Sequence, residues 1–168
     1  FAVATRDDYE LKHAYAWAQA GTAMSHIATG LSRAAFELAL GYIHERKQGG
    51  ALLAKHQLTQ FRLGGMGTKV EAIRAMARHV AHYTKCSPRP HPYFTAAGKA
   101  FCCSELMKVV NEALQLFGGA GLTKEYPIEK LFRDARAMQI EDGENNILQM
   151  HYGYLLSQLH QQEGWGRF

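Results

Sequence analysis

Residues 133–148, RDARAMQIEDGENNIL, concentrate the groups best suited to chemistry: Glu141, Asp142 and Glu144 surround Gly143 at the start of a helix-period segment. One reading is electrostatic, with acidic side chains complementing the positive end of a helix dipole. The other is a carboxylate held in a tight turn as a general base. Spacing alone leaves both open.

Two further segments suit an anion. QLFGGAG at 115–121 is either a helix stop or a turn whose backbone N–H groups approach a phosphate. ERKQGG at 45–50 is either an ordinary basic helix end or, through Arg46, a cation for a pyrophosphate. No local feature shows that the two segments meet. Nine histidines raise the question of a metal. A di-metal site in a bundle core would need Glu-x-x-His motifs on two helices, and the sequence does not supply two, so no metal site is expected. Cys86, Cys102 and Cys103 are too few for a disulfide framework and read as reduced, partly buried small hydrophobes. A reducing compartment follows.

The elements that position these groups have helical period throughout. A first helix starts near Asp7 or Asp8 and runs to about Lys47, with Ile27, Leu31, Ala35, Leu38 and Tyr42 as its inward stripe. A second spans about His56 to Lys85, burying Leu58, Phe61, Val70, Ile73, Ala77 and Val80. After a loop at 87–92, a third covers about Tyr93 to Phe117, with Ala100, Met107, Val110, Leu114 and Phe117 inward. A short helix follows Pro127 to about Ala137. The last begins near Asp142 or Gly143, ends near His160 and buries Ile147, Met150, Tyr154 and Leu155. Period-two alternation of useful length is absent. The expected fold is all-α, an antiparallel four-helix bundle with one extra short helix.

Composition narrows the function. With 168 residues, 47% hydrophobic and 20% charged, the chain has the makings of one continuous core. The net charge of +4 is spread without a basic run, which gives no argument for nucleic acid. No stretch of roughly 18 apolar residues suggests a membrane span.

The order of motifs is more specific than any one of them. ERKQGG followed by HQL, then AAGKAF, then LQLFGGAGLTKEYPIEKLFRDARAMQIEDG resembles the C-terminal helical domain of the acyl-CoA dehydrogenase family over about residues 20–160. The resemblance implies the bundle that closes a three-domain flavoprotein. The first residue is Phe1 rather than Met, and the expected organisation is a single bundle domain, 1–168, forming the C-terminal part of a longer protein. The resemblance also implies FAD as cofactor, with Arg46 reaching the pyrophosphate of a neighbouring subunit's cofactor. Gln115, Gly118 and Gly119 would line its adenosine-pyrophosphate end. Glu144, where a Thr is frequent, would lie against the cofactor. Implied partners are an acyl-CoA substrate, an electron-transfer flavoprotein and further copies in a homodimer or homotetramer. The implied location is a bacterial cytoplasm or a mitochondrial matrix.

The family's reaction takes a proton from the α-carbon of an acyl-CoA while hydride leaves the β-carbon for flavin N5. Its base stands just before the Gly, which is Asp142 here, where a Glu is usual. Asp occurs at this place in relatives that oxidise cyclic acyl-CoAs and in nitroalkane oxidases. Other relatives place the base on the first long helix, near Ala20 and Gly21, and no carboxylate stands there. Asp142 is therefore the expected catalytic residue. Two other readings remain at this level: a non-catalytic partner subunit built for oligomer contacts, and a nitroalkane-oxidase-like or monooxygenase-like flavoenzyme. Taken alone, the chain is expected to self-associate, to carry no flavin and to be inactive.

Overall fold

A computed structural model describes residues 8–88 and 90–163. Five α-helices follow in order: α1 (Tyr9–Glu45), α2 (Gln57–Cys86), α3 (Pro92–Phe117), α4 (Ile128–Met138) and α5 (Asn145–Glu163). The expected all-α bundle with one short extra helix is what forms. Of the two expected starts of α1, Asp8 is the N-cap residue, and Asp7 lies outside the described residues.

α3 is the central helix. It packs on α1, α2, α4 and α5. Its buried face carries Ala96, Ala100, Cys103, Leu106, Val110, Ala113 and Phe117, spaced by threes and fours. α1 meets it with small side chains: Ala18, Ala28, Ala35 and Ala39 are buried, as are Ser25 and Ser32. A Cβ added at Gly21 would fall 2.9 Å from the Thr95 backbone, so this crossing requires glycine. Cys102 and Cys103 are buried, and desolvation pushes their thiols up to about 12 and about 11. Cys86, expected to be partly buried with them, is exposed at the end of α2.

The close α1–α3 contact explains a first set of corrections. Ile27 is 51% exposed, because alanine and serine occupy the face turned to α3. On α2, Val70, Ile73, Ala77 and Val80 are buried as expected, but Leu58 and Phe61 stand 63% and 80% exposed. α5 packs chiefly on α3 and, among its described residues, buries Asn145 and Leu148, leaving Ile147, Met150 and Tyr154 exposed. A helical period locates apolar residues on one side of a helix. It does not say which side meets this chain's own core.

One element was not expected. α1 ends at Glu45 instead of Lys47, and Lys47–Gln48 pairs antiparallel with Ala51–Leu52 as β1 and β2. Gly49 (φ 60°) and Gly50 (φ 81°) supply the two positive dihedrals of the tight turn. The His56 ring lies 2.9 Å from the Gln48 carbonyl oxygen and braces it.

Candidate functional site

Two concave regions hold Arg46, Gln115, Gly118, Gly119 and Asp142. The first lies where α1 and α3 end. There Arg46, Gln115, Gly118 and Gly119 line one cavity of about 560 Å³, with Tyr42, Thr59 and Arg62 on its walls. The sequence could not show that these segments meet, and the structure brings them together. Tyr42 stacks on Phe117 at 4.2 Å between ring centroids, which joins the end of α1 to the turn after α3. The Arg46 N–H donates to Tyr42 O, and its carbonyl accepts from Leu53 N, both at 2.9 Å. The backbone of Arg46 is thus fixed while its guanidinium faces solvent, without an ion pair among the described residues. Arg62, beside it, is paired across the helices with Glu112.

The glycine turn is partly different from its expected form. Gly118 adopts φ 61°, and its N–H closes the helix by donating to Gln115 O. That N–H is spent inside the turn. Openness remains at the surface: a Cβ added at Gly118 or Gly119 would meet nothing within 4 Å. A free cation, an exposed amide side chain and an uncluttered backbone suit a diphosphate with its attached nucleoside. The donor set fits the phosphate end of FAD.

The second region lies between α1, α3 and the turn before α5. A cavity of about 160 Å³ is lined by Trp17, Ala20, Gly21, Ala96, Lys99, Asp142, Gly143 and Leu148. Asp142 is the only carboxylate on its wall. It takes a positive φ of 49°, rare for a residue with a Cβ, and Gly143 follows at 93°. The Asp142 side chain makes no hydrogen bond with another described residue. Ala20 and Gly21 line the same cavity, neither bears a carboxylate, and a Cβ at position 21 would clash with the Thr95 backbone.

Glu144 stands at the start of α5. Its carboxylate accepts from the N–H groups of Asn146 (2.9 Å) and Ile147 (3.2 Å), capping α5, and it lines neither cavity. Glu144 therefore takes the helix-start position of the electrostatic reading, while Asp142 stands in the tight turn.

Sequence reasoning missed Lys99. It has no exposed surface, and its Nζ donates to Gly143 O at 2.7 Å and to Asn145 Oδ1 at 3.0 Å. Burial pulls its ammonium below the ordinary lysine value, opposed by Cys103, Asp142, Glu141 and Glu144. The available signal was a cation inside the apolar stripe of α3.

The model of the acyl-CoA dehydrogenase C-terminal domain matches residues 15–153. The chain belongs to the acyl-CoA dehydrogenase family. A probable acyl-CoA dehydrogenase of Mycobacterium tuberculosis, fadE25, is 38% identical over 120 residues, which is 71% of this chain and 31% of that protein. The cyclohexane-1-carbonyl-CoA dehydrogenase of Geobacter metallireducens is 35% identical over 120 residues, again 71% and 31%. Butyryl-CoA dehydrogenase from Megasphaera elsdenii superposes with a TM-score of 0.78 at 30% identity, covering 84% of this chain and 37% of that one. The chain thus spans about a third of the length of these family members. None of its described helices is long and apolar enough to cross a membrane.

Proposed function

We propose that this acyl-CoA dehydrogenase domain supplies the proton-abstracting base and one wall of the FAD site for α,β-dehydrogenation of an acyl-CoA thioester. The observation that carries the reading is Asp142, the single carboxylate on the small cavity, presented by a left-handed turn and free of hydrogen-bond partners among the described residues. Asp142 takes the pro-leaving α-proton onto a carboxylate oxygen. Its own backbone N–H, which makes no backbone hydrogen bond among the described residues, is available to the thioester oxygen as negative charge develops there. Trp17, Ala20 and Leu148 keep water from the acyl group near the base. Bound FAD supplies the acceptor for the β-hydride, and the product is a trans-2-enoyl-CoA. Arg46 holds the pyrophosphate, Gln115 donates from its amide, and the bare backbone at Gly118 and Gly119 admits the adenosine end. Further copies of the chain and an electron-transfer flavoprotein as electron acceptor belong to the same reading.

Arg46→Ala in the holoenzyme containing this chain tests the cofactor half. Losing one charge-assisted phosphate contact should weaken FAD binding by roughly ten- to a hundredfold. The flavin that remains bound should still be bleached by acyl-CoA. Unchanged FAD affinity would remove Arg46 from the site.

A further inference from the structure

Lys99 is among the largest fully buried side chains of the protein. Burying an ammonium is costly unless its protons find acceptors. The natural charge partners stand close by, since Asp142, Glu141 and Glu144 all act on it electrostatically. Yet it forms no ion pair with any of them among the described residues. It reaches past them to the Gly143 carbonyl and the Asn145 side chain. Asn145 is itself buried, and its Nδ2 returns to α3, donating to Ala100 O at 3.2 Å and Ser104 Oγ at 3.1 Å. The Asn145 N–H donates to Gln139 O at 3.0 Å. One lysine and one amide thus pin both sides of the turn holding Asp142 and Gly143 at positive φ. A non-glycine residue in that conformation is strained and persists where its surroundings over-determine it.

We infer that Lys99 is a positioning residue: through Gly143 and Asn145 it locks the turn so that Asp142 faces the small cavity with its carboxylate left unpaired. This rests on the reading of Asp142 as the base. The division of labour is chemical. An ammonium bonded directly to Asp142 would occupy the lone pairs needed for the proton, whereas one bonded to the next carbonyl fixes the backbone and leaves them open.

The test uses the holoenzyme containing this chain. Lys99→Met keeps the stem and removes the donors. Flavin reduction in a single turnover should slow about a hundredfold, the penalty of a displacement near 1 Å. FAD content and acyl-CoA affinity should stay within about twofold, and hydrogen exchange should accelerate at residues 142–145. Asn145→Ala should show the same split with about a tenfold slower reduction. Wild-type reduction in Lys99→Met, or a loss of binding in proportion to rate, overturns the inference. If Lys99→Met does not fold, wild-type reduction in Asn145→Ala overturns it. Exchange separates this inference from its premise: unaltered protection of the turn in the variants contradicts the clamp, whatever Asp142→Asn does to the rate.

Discussion

Tyr42 and Phe117 stack with ring centroids 4.2 Å apart and an interplanar angle of 26°, and the Tyr42 hydroxyl donates to the Phe117 carbonyl at 3.4 Å. This pair makes one rigid corner from two chain segments 75 residues apart, the helix end carrying Arg46 and the turn carrying Gly118. Tyr126 closes the corner, 5.0 Å from the Phe117 ring.

Phe117→Ala should therefore cost about 3–5 kcal/mol in urea unfolding, the range for emptying a buried aromatic site. Phe117 is only 4% exposed, so water cannot readily fill the space. A loss below about 1 kcal/mol would mean that the corner is held by other contacts.

Glycine positions should split into two classes. Gly143→Ala combines φ 93° with a Cβ only 2.7 Å from Leu148 Cδ2, and should destabilise by about 1–3 kcal/mol. Gly30→Ala, within α1 and with nothing within 4 Å, should stabilise by about 0.5–1 kcal/mol. Thermal unfolding of the two variants checks the contrast, and equal shifts would contradict it.

Acid sensitivity should be traceable to His91. Burial lowers its value from 6.5, and its Nδ1 accepts from Tyr93 N at 3.3 Å, a bond that protonation of Nδ1 would break. Below about pH 6.5 the unfolded chain takes up this proton while the folded one resists, so stability falls with pH until the folded value is passed. His91→Asn keeps an acceptor for Tyr93 and removes the titration. Its stability should decline less than the wild type's between pH 7 and 5. Parallel curves would clear His91 of the role.

The helices were legible because their apolar period is long and their ends carry glycine or proline. Gly49–Gly50 read as a helix stop, but two adjacent glycines also satisfy a hairpin turn, and only the pairing of Lys47 with Leu52 distinguishes them. Phe61 and Tyr154 sat on convincing stripes and are nonetheless exposed, since periodicity carries no information about what a face packs against. Local spacing offered Asp142 and Arg46 only as one of two readings each, and the order of motifs is what gave them, with Gln115, specific expected roles. Lys99 escaped because its role depends on a carbonyl 44 residues away, a contact that no local pattern encodes.

Single-turnover flavin reduction by acyl-CoA in Asp142→Asn, made in the holoenzyme containing this chain, tests the central claim most directly. Asparagine keeps the shape of the side chain and the backbone N–H but cannot take the proton. The account predicts a fall of about 10²–10⁴-fold in the reduction rate, with FAD and acyl-CoA ester binding nearly intact. Reduction at the wild-type rate would contradict it and assign the proton to another group.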